Sequence, residues 1–264
     1  ALRALAQGCS DWCATSAGPN GASLFDATMA SGSRAPSPGK GTVVGEEEEA
    51  SAAGGAALRP GIPTSAELRV LGAGLSTLAE VPQLGARGCN LRSLYLHGNA
   101  IRTVAGLEAV CPALEELVLS SNELANLDGI SGLGRLRSLD LSCNRLQSLA
   151  GLRNLPSLEE LSAAYNQIEK LDGLMALRGP ASRLRVLDLR DNAVARLPQL
   201  LFLGGLGSLS ELRLQSRLRQ AANPICCLPG YRAAVLCAAP DLSKLDDGVV
   251  AEDEKDAARR EPPA

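Results

Sequence analysis

One pattern of leucine and polar positions recurs along the middle of the chain. It reads L-x-x-L-x-L-x-x-N-x-L/I/V, and its five copies begin at Leu91, Leu114, Leu136, Leu158 and Leu184. These starts lie 23, 22, 22 and 26 residues apart, and departures such as Ala163 and Val194 are few. Repetition at a nearly fixed period indicates a solenoid in which each repeat is one structural unit.

The spacing within each copy predicts a short strand. In L-x-L the two leucines are two residues apart, so they face the same side of a strand. A strand this short cannot bury that face alone, but parallel stacking about 4.8 Å apart joins the leucines into one column. We therefore expect an α/β repeat fold, a right-handed solenoid with a short parallel sheet on its concave side. Its convex side is expected to hold 3₁₀ or irregular turns.

A column of asparagines follows the predicted strands. It comprises Asn99, Asn122, Asn144, Asn166 and Asn192. After each strand the chain turns inward and leaves backbone donors and acceptors without partners, and an amide side chain supplies both a donor and an acceptor. These residues are therefore predicted to form a structural ladder, because a role in ligand binding would not require them in every turn.

The five copies resemble leucine-rich repeats of the short intracellular class. The period of about 22 residues and the following apolar pairs, such as Val104 with Leu107 and Leu127 with Ile130, carry the resemblance. That class includes the leucine-rich regulatory subunit of protein phosphatase 1, the axonemal dynein light chain, the A-prime protein of the U2 spliceosomal particle, and ciliary and centrosomal scaffolds. The resemblance implies a leucine-rich-repeat solenoid that binds other proteins.

The flanks of the repeats set the expected domain boundaries. Residues 1–60 are rich in Ala, Gly, Ser and Pro and are predicted to be a disordered low-complexity segment. Residues 61–246 are expected to form the solenoid, and 247–264 a charged tail. Residues 223–246 resemble the C-terminal cap of the class, and the matching positions include Asn223, Pro224, Tyr231, Arg232, Leu242 and Leu245.

Two insertions interrupt the period. Removing Arg217–Ala222 from the sixth copy leaves LSELRLQSNPI, which matches the pattern. These six residues are either a surface loop, expected to bulge without breaking the array, or a gene-model artefact. Gly179–Ser182 is a smaller insertion on the turn side of the 26-residue repeat.

The strand residues that do not face the core are the candidate binding site. By alternation they line the concave face, and the set proposed to contact a partner is Tyr95, His97, Glu116, Asp140, Glu160, Tyr165, Asp188, Arg190 and Arg213. A row of mixed polar groups with a few tyrosines is typical of a protein-binding surface rather than a pocket. The other interpretation is that the tyrosines are ordinary exposed residues.

Composition and charge narrow the possible chemistry. The formal net charge is −3, which does not favour direct nucleic-acid binding, and no apolar stretch approaches the roughly 20 residues of a membrane span. The single histidine, His97, disfavours catalysis and most zinc sites, so no catalytic residue, metal or cofactor is expected. The eight cysteines have irregular spacing, and we expect reduced thiols and an intracellular location.

The best functional prediction is a non-catalytic scaffold that binds another protein. Six carboxylates against two arginines on the predicted concave face favour a partner with a basic or mixed-charge surface. The resemblance implies a cytoplasmic or cytoskeleton-associated setting, with a ciliary, centrosomal or microtubule-linked assembly as the leading context. The alternatives are a phosphatase regulatory subunit and a ribonucleoprotein component of the A-prime type. The sequence does not define the oligomeric state.

Overall fold

A computed structural model describes residues 66–216 and 222–260. The predicted disordered segment 1–60 lies outside the described residues. So does the insertion Arg217–Ala222, apart from Ala222, which forms an antiparallel bridge with Gln215.

The strands form one sheet whose spatial order follows the chain order. Within the described residues the nine strands are β1 (Glu67–Arg69), β2 (Ser93–Tyr95), β3 (Glu116–Val118), β4 (Ser138–Asp140), β5 (Glu160–Ser162), β6 (Val186–Asp188), β7 (Glu211–Arg213), β8 (Lys244–Leu245) and β9 (Gly248–Val249). Strands β1 to β8 pair in parallel, and β9 returns antiparallel to β8. The predicted solenoid with a short parallel strand in each coil is confirmed.

The register of the sheet stacks the leucines directly on one another. Leu94 pairs with Leu117, and Leu117 pairs with Leu139. The central leucines of β2 to β7 are fully buried, as are most leucines of the following turns. The core is therefore a continuous leucine column along the solenoid, as the spacing of the repeats predicts.

The convex side consists of short helices and irregular turns. The short helices are η1 (Leu78–Glu80), α1 (Leu84–Arg87), η2 (Gly88–Asn90), α2 (Leu107–Val110), η3 (Asp172–Leu177) and η4 (Leu197–Leu203). The coils after β3 and β4 turn without a helix. The first coil also contributes a strand, β1, to the sheet, although it lacks the asparagine found in the later coils.

The C-terminal end of the solenoid is covered by η5 (Pro224–Cys227), α3 (Tyr231–Ala238), β8, β9 and α4 (Glu252–Arg260). Helix α4 packs on α3 and buries Ala258. The packed unit thus continues past residue 246, where the sequence predicts the start of a charged tail. Most charged residues of α4 are exposed, whereas Glu254 and Lys255 are partly buried, and the small Ala258 side chain permits close contact with α3. None of the helices in the described segments is long and apolar enough to span a membrane.

Candidate functional site

The concave face is the side of the sheet opposite the leucine column. In most strands the middle residue is a buried leucine, and the residues on either side of it are half-buried. Successive strands place these outward residues in two columns that run across the coils. Residues two positions after each strand, such as His97, Ser120 and Ser142, extend the face.

At the N-terminal end of the face, an arginine and a glutamate hold Tyr95 in place. The guanidinium of Arg69 lies 4.5 Å from the centre of the Tyr95 ring. The Tyr95 hydroxyl donates a hydrogen bond to Glu116 at 2.6 Å. Burial, followed by this hydrogen bond, raises the pKa of Tyr95 to about 12. Tyr95 therefore stays protonated at neutral pH.

A chain of hydrogen bonds crosses the middle of the face. Nδ1 of His97 lies 2.9 Å from the Ser120 hydroxyl, which is bonded in turn to Asp140. Asp140 Oδ1 accepts the Ser142 hydroxyl at 2.6 Å, and Ser142 lies 2.7 Å from the hydroxyl of Ser162. Four coils are joined in this way through side chains alone.

Burial shifts the pKa values of the two ionisable side chains in this series of hydrogen bonds. It lowers the pKa of His97, against the attraction of Asp140, so the imidazole is favoured in its neutral form. It raises the pKa of the Asp140 carboxyl, while the hydrogen bonds from Ser142 and Ser120 lower it. The hydroxyls of Ser120 and Ser142 both hydrogen-bond to the Asp140 carboxylate. The geometry is that of a fixed polar wall.

At the C-terminal end, two arginines neutralise Asp188. Arg190 donates from Nη2 to Asp188 Oδ2 at 2.7 Å and from Nε to Oδ1 at 3.0 Å. Arg213 lies 3.7 Å from Asp188 and 2.5 Å from Glu211, which also lies 3.4 Å from Lys244. The Asp188 side chain is only 7% exposed, so its charge is directed at the arginines rather than at solvent.

Glu160 and Tyr165 belong to the coil of β5, which lies between Asp140 on β4 and Asp188 on β6. Burial, followed by repulsion from Glu159, Glu116 and Glu211, raises the pKa of Glu160. Its Oε2 is buried and accepts no hydrogen bond from the described residues. Tyr165 is half-buried and has a left-handed backbone (φ 57°), as do the matching residues Ser121 and Cys143. Burial also raises the pKa of Tyr165.

The predicted asparagine ladder lies beside this face. Asn144 is representative: its Nδ2 donates to the carbonyls of Leu119 and Leu141, both at 2.9 Å, and its Oδ1 accepts the Leu124 amide at 3.0 Å. The same pattern recurs, in whole or in part, at Asn99, Asn122, Asn166 and Asn192. These amides bond to the backbone of adjacent coils, which occupies the groups that a ligand would need.

The residues matched to the cap cluster around the last coil. Asn223 continues the ladder after the insertion, with Nδ2 at 2.7 Å from the Leu189 carbonyl, and Pro224 begins η5. The Tyr231 hydroxyl donates to Asp246 at 2.6 Å, and Arg232 pairs with Glu254 of α4. The last two positions, Leu242 and Leu245, are fully buried.

The pattern of repeats did not identify Arg69 as part of the face. The first coil lacks the asparagine, and its pairing with the second coil became evident only through the alignment of Leu68 with Leu94. Across the described ranges no cluster of three His, Cys, Asp or Glu residues could hold a metal ion, and the six cysteines there form no disulfide.

Comparison with known proteins supports the class of fold. Residues 89–132 and 134–174 match the family model for leucine-rich repeats in two copies. A chain of the SNF/U2A′ complex from Drosophila melanogaster is similar at 22% identity, over 70% of this chain and 92% of that chain (TM-score 0.47). Internalin C2 of Listeria monocytogenes is similar at 21% identity, over 68% and 79% respectively (TM-score 0.46). No curated protein sequence matches the chain. The family match shows leucine-rich repeats over residues 89–132 and 134–174, and the parallel sheet of the described residues has the leucine-rich-repeat fold.

Proposed function

We propose that this protein is a non-catalytic scaffold that binds a partner protein on the concave face. Leucine-rich repeats generally mediate interactions between proteins, and the family match covers β2 to β5 of this sheet. The observation that carries the proposal is the continuous polar wall across β1 to β7, whose side chains are already held by hydrogen bonds and ion pairs. Such preorganisation lowers the entropy cost of binding.

The contacts divide the face into residues that shape the wall and residues that remain available. Asp140 and Asp188 are committed to serines and arginines of neighbouring coils. Neither Glu116 nor Glu160 forms an ion pair within the described residues, and Glu116 accepts only the Tyr95 hydroxyl there. We infer that Glu116 and Glu160, with the nearby tyrosines, receive basic side chains of the partner, whose surface is basic or of mixed charge.

Charge reversal at the centre of the face tests this proposal. The full chain with Glu116→Arg and Glu160→Arg is used as bait for affinity capture and mass spectrometry, beside the wild type. The matched control is Glu108→Arg with Glu169→Arg, which changes the charge equally at two exposed positions outside the face. Partners lost by the first variant and kept by the control support the proposal. Partners kept by both variants place the binding site elsewhere.

The same capture experiment tests the cellular context. We propose an intracellular role, cytoplasmic or associated with the cytoskeleton or cilium, in a ciliary, centrosomal or microtubule-linked assembly. Resemblance of the repeats and of the cap to the short intracellular class supports this context. Specific partners drawn from other compartments or from ribonucleoproteins would contradict it.

A further inference from the structure

A groove lies at the edge of the sheet where the chain enters β4, β5 and β6. It has a volume of about 600 Å³ and crosses three successive coils. The loop before β6, which holds the Gly179–Ser182 insertion, lines one part of it through Ala181 and Ser182. The groove thus coincides with a departure from the regular repeat and is distinct from the concave face.

The lining combines apolar and cationic groups. Leu155, Leu158 and Leu184 are buried side chains at the groove, and Arg178 and Arg183 are its charged residues. Its lining contains no carboxylate. An anionic segment that also carries an apolar side chain would match both parts of this lining.

Arg178 is held in position. Its Nη2 donates to the Leu201 carbonyl at 2.5 Å, and the guanidinium lies 5.9 Å from the centre of the Phe202 ring. Its Nε is buried and has no acceptor within the described segments. The guanidinium is therefore fixed, yet its charge has no carboxylate partner among the described residues, and a carboxylate is the partner that guanidinium geometry favours.

The loops around the groove hold an excess of positive charge. Within the part of the chain that the structure describes, these arginines form no ion pair: Arg135, Arg153, Arg178, Arg183 and Arg185. The one pair in these loops joins Arg137 to Glu159 at 4.0 Å. Elsewhere on this protein, most arginines of the sheet and its edges have carboxylate partners, so the groove differs from its surroundings.

We propose that this groove binds an acidic segment of a second protein, with carboxylates at Arg178 and Arg183 and an apolar side chain over the leucines. A protein segment is favoured over nucleic acid because the lining is largely apolar and the chain has a net charge of −3. The site is separate from the concave face, so the protein would join two binding partners.

Fluorescence anisotropy with a labelled peptide Gly-Glu-Leu-Glu-Glu-Leu-Glu-Gly tests this site on the full chain. We expect binding that weakens with salt and that is about tenfold tighter than for the peptide with glutamines in place of glutamates. Arg183→Glu should weaken binding by about tenfold or more. The matched control Arg196→Glu, at an exposed arginine outside the groove lining, should leave it unchanged.

The possible outcomes separate this proposal from the concave-face proposal. Glu116→Arg with Glu160→Arg should not affect peptide binding, whereas Arg178→Gln should weaken it in a chain whose thermal unfolding is unchanged. Equal binding by wild type and Arg183→Glu overturns the groove proposal. The groove proposal is also overturned if a single-stranded oligonucleotide of equal charge binds more tightly than the peptide and its binding is lost in the same variants.

Discussion

The asparagine ladder shows why one side chain recurs after every strand. At Asn144 the amide group satisfies carbonyls of two coils and one backbone amide, all in a buried position. Leucine would leave those backbone groups unpaired, and serine is too short to reach both coils. A primary amide supplies two donors and an acceptor in one plane, which suits this site.

Replacing the Asn144 amide by a carboxylate tests this account at the scale of one residue. Asn144→Asp keeps the shape but directs a charged acceptor at the carbonyls of Leu119 and Leu141. We expect a loss of about 2–4 kcal/mol in the free energy of unfolding at pH 7, because one oxygen of a buried carboxylate then faces two carbonyls without a donor. Urea unfolding followed by circular dichroism measures this loss.

The control for that substitution is Asn90→Asp, which makes the same chemical change at an exposed position. It should alter the free energy of unfolding by less than about 0.5 kcal/mol. The deficit of Asn144→Asp should shrink in acid, since a protonated carboxyl regains one donor. Equal stability of the two variants would show that the amide donors contribute little.

A column of glycines allows successive coils to pack closely on the convex side. Gly129, Gly151 and Gly173 recur every 22 residues, and each faces the backbone or side chain of the preceding coil. A Cβ atom on Gly129 would lie 2.0 Å from the Val104 carbonyl oxygen, and one on Gly173 would lie 2.4 Å from the Leu149 carbonyl carbon. The coils therefore pack backbone against backbone at this column.

Gly129→Ala should separate two coils. Because the clash is with backbone, we expect a loss of about 3 kcal/mol or more in the free energy of unfolding. Gly132→Ala is the matched control: its φ is also positive (+91° against +97°), but nothing lies within 4 Å of the added Cβ. The control should lose only the strain of the left-handed backbone, about 1–2 kcal/mol. Chemical denaturation of both variants distinguishes packing from strain, and equal losses would contradict close packing.

The period of the sequence was sufficient to predict the elements. Strand positions, their register and the leucine column depend on spacing within one repeat, and this spacing is visible in the letters. The glycine column is equally visible as a 22-residue recurrence, but the pattern gives no distance between coils and so does not show why glycine is required. In the same way the pairing of Asp188 with Arg190 and Arg213 depends on side chains from two coils, so the sequence showed them only as exposed charges.

The charged C-terminal sequence was the element hardest to predict. The stretch AEDEKDAARR carries few apolar residues, and its alanines alone give no reason to expect packing. In the structure they allow α4 to approach α3, and Glu254 pairs with Arg232. The end of the packed unit therefore depends on the contact between α3 and α4. Neither helix alone carries a sequence pattern that predicts this contact.

At the scale of the whole molecule, the cap closes an array that would otherwise end in an open face. Strand β8 pairs with β7, and Leu245 covers Leu212 in register. Asp246 directly follows β8, and its Oδ1 accepts the amides of Leu214 and Gln215 at 2.8 and 3.1 Å. The cap thus satisfies the backbone of the last coil and also buries its leucines.

Removing this closure should loosen the solenoid from its C-terminal end. A chain that ends at Asp241 loses β8, β9 and α4, so β7 becomes an unpaired edge with uncovered leucines. Because each coil contacts mainly its neighbours, we expect amides of β7 to exchange at least about tenfold faster, while those of β2 to β4 keep their protection. Hydrogen exchange with mass spectrometry measures this gradient, and a chain that ends at Arg260 is the control. Uniformly faster exchange across all coils would show instead that the array unfolds as one cooperative unit. Unchanged exchange in β7 would show that the cap contributes little to the stability of the last coil.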